Sequence, residues 1–178
     1  MHVLRTLKIQ IALISGILLL VGGLGYYWYS QQPRAGVEAF TDTYDLVLGT
    51  YDGTEAPLNE YKRSLLVIHS WASWCTYCAE ELQNLAKLKD LYGDDVHILA
   101  VNRAESMADA RAFTDALGLG ERIEILVDPT DSLYKDIEGY AMPETVFINK
   151  KGEIIFHQRG PMKVDEVVER INVLIGKE

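Results

Sequence analysis

Cysteine is nearly absent: the 178 residues contain two, three positions apart in Trp74-Cys75-Thr76-Tyr77-Cys78. A bridge that closes so short a loop constrains an unfolded chain little, which excludes a structural staple. Two cysteines are also too few for a zinc site of the Cys-x-x-Cys type, which needs two further ligands. Internal repeats and low-complexity tracts are missing, so neither a solenoid nor a disordered tail is expected. Charge is missing from residues 9–29, and acidic side chains from the first 29 positions. Cationic excess is missing as well: after Arg5 and Lys8 the rest of the chain carries 15 basic against 26 acidic residues, a formal charge of −11. That sign excludes nucleic acid as an expected partner and excludes holding the domain flat on anionic lipid.

What is present suits one folded domain with a tether. Apolar residues make up 48% and charged residues 24%, enough for one core. The uncharged run at 9–29, about 20 residues at 1.5 Å rise each, spans roughly 30 Å, one bilayer core. Arg5 and Lys8 before it and Tyr26, Tyr27, Trp28 and Tyr29 at its end predict a cytoplasmic N-terminus and an outward-facing domain. A cleaved signal peptide is the alternative, although no Ala-x-Ala-like site follows the run. No cysteine ends the run, which excludes lipid attachment there. The expected organisation is a cytoplasmic segment 1–8, a transmembrane anchor 9–29, a linker 30–39 and a domain 40–178.

Within the domain, strands are predicted at 44–48, 65–70, 96–101, 123–127, 145–148 and 153–157. Helices are predicted from position 79 with Leu82, Leu85, Leu88 and Leu91 inward, at 106–117 with Ala110, Phe113 and Leu117 inward, and at 131–137. A closing helix carries Val164, Val167, Val168, Ile171 and Ile175. The wholly apolar run at 65–70 predicts a central strand, and alternating strands and helices predict a sheet with parallel pairs. The strand at 145–148, the turn at 149–152 and the strand at 153–157 form a hairpin entered through Met142-Pro143.

An i, i+3 cysteine pair between a buried strand and a helix start points to dithiol chemistry. Unpaired N–H groups and the helix dipole favour a thiolate there, and the thiolate is the species that attacks a disulfide. Cys75, nearer the helix start, is the expected nucleophile, and Cys78, one turn in, the resolving thiol. Trp74 is expected as an exposed apolar platform beside the sulfur, with Thr76 and Tyr77 as further contacts to substrate, and Trp71 as core. No cofactor and no metal is implied. A copper-handling or other binding module using the two sulfurs and a distant histidine such as His157 is the alternative from a different class. His2 and His97 carry no signal.

The order strand, WASWCTYC, long helix, Met-Pro, hairpin and last helix resembles the thioredoxin fold. Tyr51-Asp52-Gly53, residues 58–61, His69 through Cys75, Glu81 and residues 139–152 resemble its TlpA/ResA-like branch, with the likeness covering residues 40–175. The resemblance implies an α/β fold, a central mixed sheet flanked by helices with an N-terminal strand extension. It also implies a membrane-anchored, extracytoplasmic thiol-disulfide oxidoreductase of a bacterial cytoplasmic membrane. Protein thiols and disulfides would be its substrates, apocytochrome c among them, and a membrane-embedded electron donor its partner, with reductase favoured over oxidase. It further implies a cis bond at Met142-Pro143, with the backbone before the proline pairing to the substrate chain, and places Glu81 near the dithiol as a tuner of its protonation. His69 occupies the position of the buried acid of cytosolic thioredoxins, either as a proton acceptor for Cys78 or as a core histidine bonded to backbone. The chain departs from the branch at His69-Ser70 in place of Asn-Phe, at Tyr77 in place of proline, and at Pro143-Glu144-Thr145 in place of Pro-Thr-Thr. Glu144 is expected in solvent, the alternative being that it repels acidic substrates.

Overall fold

A computed structural model describes residues 15–16, 19–24 and 43–176 of the chain, which divides into two units, 1–35 and 36–178. In the first unit the described residues are helical, and Leu19, Leu20, Val21 and Leu24 are exposed. Among the described residues no helix is long and apolar enough to cross a membrane. Most of the expected anchor, and all of the expected N-terminal segment 1–8 and linker 30–39, lie outside the described residues.

The second unit is built on a seven-stranded mixed sheet in the order β2-β1-β5-β4-β3-β6-β7. The strands are β1 (Val47–Thr50), β2 (Glu55–Pro57), β3 (Leu65–Trp71), β4 (Val96–Arg103), β5 (Glu124–Asp128), β6 (Glu144–Ile148) and β7 (Ile154–Arg159). β3 pairs in parallel with β4, and β4 with β5; β6 and β7 add antiparallel on one side, and β1 and β2 on the other. This is the thioredoxin-type mixed sheet with an N-terminal hairpin. All seven residues of β3 are buried, because strands flank it and both of its faces are covered.

Alternation along β3 divides the core in two. Leu65, Val67 and Trp71 join a cluster with Cys75, Cys78, Leu82, Ala110, Val167 and Ile171. Leu66 and Ile68 point the other way, to Tyr44, Leu58, Leu133 and Ile137. The helices are α1 (Cys78–Ala86), α2 (Lys89–Tyr92), α3 (Met107–Ala116), α4 (Ser132–Asp136) and α5 (Val164–Ile175). α1 buries Cys78, Leu82, Leu85 and Ala86, one face at i, i+4, i+7 and i+8, and carries Glu80 and Glu81 in its first turn, where the dipole favours acids. Ser106 caps α3 by accepting the Asp109 N–H at 3.2 Å, a bond that satisfies one orphan donor.

Three local expectations are corrected. The long helix from position 79 breaks at Lys87–Leu88, where the Lys87 N–H is drawn to Asn84 O and Leu85 O. The helical phase is lost there, so Leu91 is exposed at the break's far side. The first strand begins at Val47, since Thr43–Asp45 form a 3-10 turn that buries Tyr44. Finally, the last hairpin strands are Glu144–Ile148 and Ile154–Arg159, which draws Glu144 into the sheet.

Candidate functional site

Cys75 and Cys78 are joined in a disulfide. The helix starts at Cys78 and not at Cys75. Cys75 sits in the preceding turn, its N–H donating to Ala72 O at 3.1 Å and its carbonyl accepting the Cys78 N–H at 3.3 Å. Cys75 is 7% exposed and Cys78 is fully buried, so an incoming group reaches Cys75 first. Around that edge Trp74 and Tyr77 are 65% and 58% exposed, and Thr76 is exposed as well. Trp71 is core, stacked on Phe113 at 5.5 Å between ring centroids.

The turn that carries the cysteines is tied to the end of β4. The Glu105 carboxylate accepts the Ser73 N–H at 2.8 Å, the Ser73 hydroxyl at 2.5 Å and an Asn102 side-chain N–H at 2.6 Å. Asn102 lies directly beside Trp71 in the β3–β4 register, so one carboxylate locks the chain just before Trp74. Sequence reasoning missed Glu105. Its signal was position, immediately beyond the carboxyl end of a central parallel strand, where sites in open α/β sheets gather.

His69 lies between Ala100 of β4 and Thr145 of β6, on the side of β3 that faces α1 and α5. Nδ1 is 3.0 Å from the Thr145 hydroxyl, so the bond to backbone expected of a core histidine is replaced by one to a side chain. Nε2 is buried with no hydrogen-bond partner; the Glu81 carboxylate, one turn after Cys78, approaches it to 3.5 Å, longer than a hydrogen bond. Burial lowers the imidazole from 6.5 to about 4. Burial also raises the Glu81 carboxyl from 4.5 to about 7, opposed by the Met162 N–H, which donates to Oε1 at 2.8 Å, and reinforced by the Glu80 charge. Between about pH 4 and 7 the proton of this pair therefore belongs to Glu81, and His69 is neutral. A cleft of 560 Å³, lined by Tyr77, Glu80, Glu81, Pro161, Lys163 and Glu166 among others, connects the carboxyl to solvent. Glu81 is thus the contact between a buried imidazole and water, a few atoms from the start of α1.

The loop before β6 completes the rim. The Met142–Pro143 bond is cis. Pro143 is buried, while Met142, half-buried, packs against the core cluster that contains both cysteines. Glu144, expected in solvent, is fully buried. The antiparallel pairing of Glu144 with Ser70 on one side and Arg159 on the other leaves no route to water, and its charge is met by hydrogen bonds instead. His157, the distant ligand of the copper alternative, holds Glu144 Oε2 at 2.6 Å. Among the described residues no group of three or more His, Cys, Asp or Glu side chains is placed to hold a metal ion.

The Redoxin family model matches residues 35–173. The thioredoxin-like protein YneN of Bacillus subtilis is 28% identical over 167 residues, spanning 90% of this chain and 96% of its own. The thiol-disulfide oxidoreductase ResA of Halalkalibacterium halodurans is 30% identical over 161 residues, 87% of this chain and 88% of its own. Among solved structures, the exposed lipoprotein thioredoxin of Streptococcus pneumoniae superposes with a TM-score of 0.66 at 27% identity, covering 72% of this chain and 98% of that one. A buried Cys-x-x-Cys disulfide at the end of a central strand, on this sheet and with these relatives, has one reading: the chain belongs to the Redoxin family, within the thioredoxin superfamily, and is a thiol-disulfide oxidoreductase.

Proposed function

We propose that the protein is a membrane-anchored reductase of protein disulfides, held outside a bacterial cytoplasmic membrane by residues 9–29. The observation that carries the exchange step is the unequal burial of the bridged pair, Cys75 at a rim of exposed aromatic side chains and Cys78 sealed beneath it. In the reduced protein the Cys75 thiolate attacks one sulfur of a client disulfide. A mixed disulfide forms and the first client thiolate leaves and takes a proton. Cys78, once deprotonated, attacks the Cys75 sulfur, the second client thiolate leaves, and the Cys75–Cys78 bond forms. Two electrons and two protons have then passed to the client, and a dithiol donor in the membrane returns the pair to its reduced state.

Glu81 serves the second step: its carboxyl, raised to about 7, exchanges the Cys78 proton with the open cleft, and His69, kept neutral by burial, lines the carboxyl's inner side. Trp74, Thr76, Tyr77, Met142 and Pro143 form the surface on which the client lies. Apocytochrome c is the proposed client, by the likeness of residues 40–175 to the TlpA/ResA-like branch. Anchoring is supported by the uncharged run at 9–29 and by helical residues within it whose apolar side chains are exposed.

A membrane-impermeant maleimide tests orientation and direction together. Applied to intact cells, it should label the cysteines from outside without prior reduction. Label that appears only after reduction would make the protein an oxidant. Absence of label from intact cells after reduction, with label after lysis, would place the domain inside.

A further inference from the structure

Four contacts grip the short segment between α4 and Pro143. The Glu144 carboxylate, fully buried, accepts the Tyr140 N–H at 2.7 Å and the Ala141 N–H at 2.5 Å through one oxygen. Its other oxygen is held by His157 Nε2 at 2.6 Å. From the opposite side the Tyr134 hydroxyl donates to Ala141 O at 2.9 Å. The Tyr134 ring lies so close under Gly139 that a Cβ there would stand 2.5 Å from it. Behind that ring, the Arg103 guanidinium stacks at 3.3 Å from its centroid while paired through two hydrogen bonds with Asp131. On either side of Met142 the backbone is held: the Tyr140 N–H by Glu144, the Ala141 N–H and C=O by Glu144 and Tyr134, and Pro143 O by the Gly160 N–H at 2.9 Å. The Met142 N–H and C=O have no hydrogen-bond partner among the described residues.

A loop free to move would satisfy the Met142 amide internally or lose order when a strand pairs with it, and the ordering cost would come out of binding. A carboxylate accepting two successive N–H groups instead fixes the peptide planes just before Met142 with charge-assisted bonds, stronger than neutral ones. The carboxylate can stay in the sheet because His157 and the two amides satisfy it.

Resting on the client-exchange reading above, we propose that Glu144, backed by His157, is a positioning residue for the client chain. It fixes the backbone just before Met142, whose unpaired N–H and C=O then face the backbone of the polypeptide whose disulfide is exchanged at Cys75. Glu144 does not touch the reacting sulfurs, and small disulfides, which carry no backbone to pair, do not sense it.

The test compares two substrates on the reduced full-length protein in single turnover, followed by tryptophan fluorescence. One is a neutral synthetic peptide with an internal Cys-x-x-Cys disulfide, and the other is 5,5′-dithiobis(2-nitrobenzoate). Glu144→Thr should raise the half-saturating peptide concentration about tenfold, about 1.4 kcal/mol, with the limiting rate and the small-disulfide rate each within twofold of wild type. Glu144→Gln, which keeps an oxygen for the two amides, should stay within about threefold of wild type. Tyr134→Phe, which removes one hydroxyl and no charge, should raise the same concentration about threefold and carries the test if Glu144→Thr does not fold. Equal slowing of both substrates, equal behaviour of the Thr and Gln variants, or unmoved peptide saturation in Glu144→Thr and Tyr134→Phe overturns the positioning role alone. A wild-type protein that reacts with the small disulfide yet shows no saturation by peptide overturns the client reading as well.

Discussion

Replacing Glu81 by Gln and His69 by Asn separates two titrations that oppose each other in the wild-type protein. In the unfolded chain Glu81 ionises near 4.5 and His69 near 6.5; in the folded protein burial moves them to about 7 and about 4. Over pH 4.5 to 6.5 each state then holds one proton on the pair, the unfolded chain on the histidine and the folded protein on the glutamic acid, and the two contributions offset. His69 has the lowered folded value, so its neutral form is stabilising above 6.5 and costs stability as the pH falls toward 4. Glu81 has the raised folded value, so its contribution is full below 4.5 and is lost as the pH rises through 7. Each pKa unit corresponds to about 1.4 kcal/mol. Between pH 6.5 and 5 the histidine accounts for roughly 2 kcal/mol, whereas the partly solvated glutamic acid, discounted for screening, accounts for about 1 kcal/mol. Relative to wild type, acidification from pH 6.5 to 5 should therefore stabilise His69→Asn by roughly 2 kcal/mol and destabilise Glu81→Gln by about 1 kcal/mol. Urea unfolding of the oxidised protein at half-unit pH steps measures both differences. Parallel curves for the three proteins, or differences of the same sign, would refute this placement of the proton.

Three further outcomes follow from the same structure. Glu105→Ala should release Ser73 and Asn102, lower the melting temperature through the loss of up to three hydrogen bonds at about 1 kcal/mol each, and change the reactivity of Cys75 toward a small disulfide; an unchanged rate would show that the Cys75 turn is held without it. Leu82→Ala, at a fully buried position behind Cys78, should cost 2–5 kcal/mol, approximately, measured by guanidinium unfolding of the oxidised protein. Gly139→Ala should destabilise by about 1–3 kcal/mol, because the new methyl would meet the Tyr134 ring; full stability in a thermal melt would mean the ring moves aside freely.

Local pattern made the central elements legible. The unbroken apolar run into β3, the i, i+3 cysteines and the turn at 149–152 each report a neighbour-independent constraint, and the structure follows them closely. Pairing made the rest illegible. Glu144 follows a proline and precedes an apolar stretch, so in sequence it reads as a loop residue. Only its position between β3 and β7, with His157 thirteen residues away, shows why it is buried. Glu105 likewise acquires its meaning from the β3–β4 register, which sets Asn102 beside Trp71. Leu91 kept the helical spacing of Leu82 and Leu85 but lies beyond a break that spacing does not reveal. The short strand β2, Glu55–Pro57, has a charge and a proline in three residues and offered no strand pattern; it sits at the sheet edge, where proline is tolerated.

The claim on which the rest depends is that Cys75 attacks and Cys78 resolves. Cys78→Ser and Cys75→Ser variants of the full-length protein, reduced and mixed with a disulfide-bonded protein substrate, decide it by non-reducing electrophoresis and mass mapping of the adduct. The account predicts a stable mixed disulfide on Cys75 in Cys78→Ser and little or none in Cys75→Ser. An adduct that accumulates on Cys78 in Cys75→Ser at a comparable rate would contradict it.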